Sequence, residues 1–128
     1  MDPNRDRLRD LSARLLRLHK VLLDRERGAY EDRFGAVPPG ELFRLLLHDA
    51  GFAWLRALSA MIADIDEAAD ADEPIATETV ERAVAAAFAL LKAGGEGEFQ
   101  LRYQDALQSS PEVVMAHAEI SKLIRRAS

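Results

Sequence analysis

Leu8-Arg9-Asp10-Leu11-Ser12-Ala13-Arg14-Leu15-Leu16-Arg17-Leu18-His19-Lys20-Val21-Leu22-Leu23-Asp24-Arg25-Glu26 is the stretch from which the fold is read. At about 100° per residue, Leu8, Leu11, Leu15, Leu18, Leu22 and Ala29 fall within one narrow stripe. Arginines and aspartates occupy the remaining faces. Pro3 suits a first helical turn, and Gly35 followed by Pro38-Pro39-Gly40 stops the helix. The pattern predicts one long amphipathic helix from about Pro3 to Phe34.

Outward from this helix the same signature recurs with punctuation between. A short helix from Glu41 to His48 carries Leu42, Phe43, Leu45, Leu46 and Leu47. Asp49-Ala50-Gly51 interrupts it, and Asp49 suits the N-cap of a new helix. From Phe52 to Ala69 the apolar face is Trp54, Leu55, Leu58, Met61, Ile62 and Ile65, with Arg56, Asp64 and Glu67 opposite. Asp70-Ala71-Asp72-Glu73-Pro74 reads as an acidic linker. Thr77 or Thr79 is expected to cap a helix that buries Val80, Ala83, Val84, Ala87, Phe88, Leu90 and Leu91. Ala85, Ala86 and Ala89 on its other faces suit close helix–helix or subunit contact.

Gly94-Gly95-Glu96-Gly97 ends that helix. Phe99, Tyr103 and Leu107 recur at i, i+4 and i+8, a short helix. Ser110-Pro111-Glu112 combines a cap, a proline at N1 and an acid in the first turn. The last helix is expected to bury Val113, Ala116, Ile120, Leu123 and Ile124, and Arg125-Arg126 suit its C-terminal dipole. No segment alternates with period two, and no internal repeat is visible. The expected fold is all-α: an antiparallel four-helix bundle with two short additional helices, forming one domain over residues 1–128.

Composition agrees. Twenty-two alanines and 18 leucines against 6% aromatic residues make a helix-leaning mixture. The chain has no cysteine, which excludes disulfides, a thiol nucleophile and thiolate metal sites. The charged N-terminus lacks an apolar segment behind it, and no apolar run approaches the roughly 18 residues of a membrane span. A cytoplasmic protein without membrane association is the expectation. Residues 36–98 carry four basic residues against twelve acidic ones, a local -8 that the flanking segments offset to a net charge of -5. In the first helix arginines alternate with Asp6, Asp10, Asp24, Glu31 and Asp32. Interleaved signs describe a solvated face rather than a nucleic-acid footprint.

The anomaly lies in the first helix. His19 and Glu26 sit at the centre of its apolar stripe, seven residues apart, and Tyr30 and Arg33 follow on nearly the same face. A carboxylate placed there needs a partner. The other two histidines, His48 and His117, are expected near the same interior. His19, Glu26, Tyr30, Arg33, His48 and His117 thus form a candidate interior polar cluster. Its plainest reading is a structural network in which Glu26 accepts from Arg33, Tyr30, a histidine or Trp54. A single divalent metal on His19, Glu26, His48 or His117 is the alternative to a cofactor-free protein, and a His19 acid/base pair is a third reading. Trp54 is read as either a core anchor or a partner-binding anchor.

Other motifs fail. The acids from Asp64 to Glu73 break the calcium-loop order with Ala68 and Ala69. Arg14-x4-His19 matches the Arg…His spacing of HEPN-type ribonucleases, but on one helix the two side chains point about 140° apart. Gly94-Gly95-Glu96-Gly97 lacks the Lys-Ser/Thr and the preceding strand of a phosphate loop.

Three stretches carry a resemblance. They are Leu18-His19-Lys20-x-Leu22-Leu23-x3-Glu26-Arg27-x2-Tyr30-Glu31, His48-Asp49-x2-Phe52-Ala53-Trp54-Leu55-Arg56-x-Leu58-Ser59, and Tyr103-x3-Leu107-Gln108-x2-Pro111-x-Val113-Val114-x-Ala116-His117. In them the chain resembles a group of small, uncharacterised bacterial helical proteins. The resemblance implies a bacterial helical protein and transfers no catalytic residue. The function expected is a non-enzymatic interaction or assembly module that pairs with itself as a homodimer or with another protein. A metal- or ligand-binding bundle is the rival.

Overall fold

The computed structural model describes residues 2–92 and 95–127, with side chains through Ile124. Every regular element among them is a helix: α1 (Pro3–Phe34), α2 (Pro39–His48), α3 (Ala50–Ala53), α4 (Arg56–Ala69), α5 (Thr77–Leu91), α6 (Glu98–Ser109) and α7 (Pro111–Ala127). None is long and apolar enough to cross a membrane.

The leucine stripe makes α1 the axis of the molecule. Leu8, Leu11, Leu15, Leu18 and Leu22 are buried, and α4, α7 and α5 pack around them. The stripe ends earlier than its periodicity suggests: Ala29 is exposed, because beyond Leu22 only the small satellite core of Val37, Leu45 and Phe52 lies alongside. Gly35 takes φ 91°, a conformation that admits glycine at little cost, and turns the chain out of α1. Pro39 then occupies the first turn of α2, so the residues that stop one helix also start the next.

Asp49 accepts from the Gly51 amide at 2.8 Å, the cap expected of it. The helix it starts is only four residues long. At Trp54 and Leu55 the backbone keeps helical torsions, but the Leu55 amide bonds the Phe52 carbonyl three residues back. That tightened turn separates α3 from α4, where a continuous helix from Phe52 to Ala69 was expected. Neither threonine caps α5: Ala76 holds the N-cap position without a side-chain bond. Ser110 does cap α7, its hydroxyl accepting from the Val113 amide at 3.3 Å. The Arg125-Arg126 pair lies outside the described side chains, and Gly94 outside the described residues.

The acidic linker is folded against the start of α1. Asp2 caps α1 through the amides of Asn4 and Arg5 and also accepts from the Ile75 amide at 3.1 Å. The Ile75 amide, foremost among these contacts, holds the Asp2 carboxyl below its ordinary range. Arg5 donates to the carbonyls of Ala69, Ala71 and Glu73, and Arg9 pairs with Asp70 at 3.0 Å. Midway along α1, Ser12 is the buried polar residue of the core, and its hydroxyl donates to the Asp66 carboxylate of α4.

Candidate functional site

The six residues expected in one cluster are distributed over separate contacts. His19 reaches across to α4, its Nε2 lying 2.7 Å from Ser59 Oγ. The Ser59 hydroxyl donates to the Leu55 carbonyl at 3.2 Å, so its oxygen accepts from the His19 Nε2–H. Glu26 accepts from the Trp54 indole N–H at 3.2 Å, the tryptophan among the partners considered for it. Tyr30 packs its ring on Phe34 and Phe52, with centroids 4.8 and 6.0 Å apart. Arg33 is exposed, with its guanidinium 5.4 Å from the Phe34 ring centroid. His48, the last residue of α2, is exposed. His117 lies on the far side of the core, bonded to Tyr103. Among the described residues no three His, Cys, Asp or Glu side chains are placed to share a metal ion.

Arg14, the partner that a ribonuclease-like reading would give His19, points the other way. It pairs with Asp10 at 3.1 Å and donates to the Glu119 carbonyl of α7 at 2.6 Å.

A row of aromatic rings joins Trp54 to His117. Trp54 is 5% exposed, so it is a core anchor, and its ring meets Phe99 at 5.3 Å. Phe99 stacks on Tyr103 at 5.6 Å, and Tyr103 meets the His117 ring at 5.6 Å. At the end of the row the Tyr103 hydroxyl lies 2.7 Å from His117 Nδ1. Tyr103 is 1% exposed, and burial pushes its phenol well above the ordinary value, so it stays protonated. The phenol has no other acceptor among the described residues, and it therefore donates to Nδ1. In the neutral imidazole the proton then sits on Nε2.

His117 also lines a groove, a depression of 710 Å³ between the end of α5 and the face of α7, walled by Phe88, Leu91, Val114 and Ile124. Phe88, expected in the core, is 54% exposed here, and Val114 is 47% exposed. Gln104 Nε2 is the only buried side-chain polar atom without a partner among the described residues. Among the described residues His117 Nε2 has no hydrogen-bond partner and is not buried.

No family model, curated protein or solved structure is significantly similar to the chain. The site is therefore read from its geometry alone. Sequence reasoning gave no role to Ser59 and read Tyr103 only as an apolar helix position. Each becomes functional only through a side chain on another helix.

Burial pushes the imidazoles of both His19 and His117 below their ordinary value of 6.5. The unfolded chain then binds protons more readily than the folded one. Their contribution to stability is complete above about pH 6.5 and is lost as pH falls through the lower folded values. The melting temperature therefore drops on acidification from about pH 7.5 to about 5. His19→Gln, which keeps an amide N–H for Ser59, makes that drop shallower. A flat profile in the parent protein contradicts this assignment.

Proposed function

We propose that the chain is a non-enzymatic interaction module, built as an antiparallel four-helix bundle of α1, α4, α5 and α7, that forms a homodimer through the α5–α7 face. The observation that carries this reading is the exposed apolar surface on the last two turns of α5. The first turns expose Glu78, Glu81 and Arg82, as a solvated helix does. From Ala83 to Leu91 no residue is charged, and Ala85, Phe88 and Ala89 are exposed. On the neighbouring helix Val114 and Ala118, which line the same groove as Phe88, are exposed as well. Large side chains among small ones let a second helix approach closely, and a contiguous apolar patch of this kind marks a contact surface.

Six of the nine basic residues of α1 are paired, which supports a protein partner over nucleic acid. Arg5, Arg9, Arg14, Lys20, Arg25 and Arg27 each face a carboxylate within 3.6 Å. On this reading the module works in a bacterial cytoplasm, supported by the resemblance carried around His19 and His48.

Val114→Glu tests the proposal. The site is exposed, so a charge there leaves the melting temperature nearly unchanged while placing like charges across a two-fold interface. Light scattering is expected to give dimer mass for the parent and monomer mass for the variant. Dimer mass in both would place the interface elsewhere.

A further inference from the structure

The groove between α5 and α7 has two chemical characters. Phe88, Leu91, Val114 and Ile124 make apolar walls, and its volume of 710 Å³ falls in the range typical of small-molecule sites. Its polar groups are Lys92, His117 and Ser121, and no carboxylate is among the lining residues. Lys92 stands at the C-cap position of α5, where a basic side chain suits the helix dipole. His117 and Ser121 stand one turn apart on the same face of α7. Because Tyr103 donates to Nδ1, the imidazole presents a donor at Nε2 instead of an acceptor. Three donor-bearing residues, one of them cationic, thus line an apolar groove in a protein whose net charge is -5.

We propose that this groove binds an aliphatic carboxylate, with the hydrocarbon chain against the apolar walls and the carboxylate accepting from Lys92, His117 Nε2–H and Ser121. An uncharged amphiphile would leave the ammonium without a counter-ion, and a cationic one would meet it with like charge. Tyr103 is a positioning residue in this arrangement, holding the tautomer and orientation of His117. Phe88 and Val114 belong both to the groove and to the self-contact proposed above, so decanoate and a second copy compete for this face, and the mass of the protein without ligand reads self-association by itself.

Calorimetric titration of the full chain with decanoate, decanol and decyltrimethylammonium, each below its micellar range, tests it. Saturable binding of one decanoate per chain is expected, tighter than decanol by about tenfold, the scale of a charge-assisted hydrogen bond. Decyltrimethylammonium is expected not to bind. Lys92→Gln, at an exposed position that leaves the fold intact, removes the preference for decanoate over decanol. No saturable decanoate binding up to about 1 mM, equal affinity for decanol, or an unchanged preference in Lys92→Gln would overturn the proposal.

Discussion

Trp54→Ala lowers the free energy of unfolding by about 3–5 kcal/mol, read from the shift of a urea transition followed by circular dichroism. Trp54 sits in the tightened turn between α3 and α4, 5% exposed, with its ring against Phe99. Truncation opens a cavity beneath the aromatic row and takes the indole donor from Glu26. The loss is a large share of the roughly 5–15 kcal/mol that holds a domain of this size together. Two milder variants separate the packing from the hydrogen bond. Trp54→Phe keeps much of the ring volume and loses the donor, whereas Glu26→Gln keeps an acceptor oxygen for the indole. Glu26→Gln is expected to cost less than about 1 kcal/mol. A Trp54→Ala loss below about 1 kcal/mol, the scale of an ordinary surface substitution, would contradict the description of this ring as a core anchor.

Arg5→Ala is expected to cost about 2–3 kcal/mol, the range for a charged donor whose loss strands its acceptors. One guanidinium closes the end of α4 and the linker behind it by reaching the carbonyls of Ala69, Ala71 and Glu73. The Ala69 side chain is fully buried, so the adjoining carbonyl has little access to replacement water. Arg5→Lys recovers little of the loss, because an ammonium cannot match a planar fork that bonds several carbonyls. Hydrogen exchange at Ile75, whose amide bonds Asp2, is expected to rise in both variants. Stability unchanged in Arg5→Ala would mean that the linker is held by Asp2 and Arg9 without it.

The features legible in the sequence are those set within a few residues. The α1 stripe from Leu8 to Leu22, the Asp49 and Ser110 caps and the helical class follow from 3.6-residue periodicity and turn chemistry, which act locally. The division between α3 and α4 left no trace, since Trp54 and Leu55 keep helical torsions and only the bonding distance along the chain changes. Phe88 shows a different limit. Its spacing puts it beside the apolar face of α5, but whether a neighbouring helix covers it depends on the placement of α7. His19 was visible as an anomaly and His117 as another histidine near the interior, and their partners were not. Pairing His19 with Ser59, or His117 with Tyr103, requires the depth and rotation of two helices at once, which no single-helix pattern carries.

Sedimentation velocity of the unmodified chain over a concentration series into the micromolar range tests the central claim most directly. The account predicts a boundary that moves to the mass of two chains as concentration rises, with Val114→Glu remaining at the mass of one. A parent protein that sediments as a monomer throughout the series would contradict it.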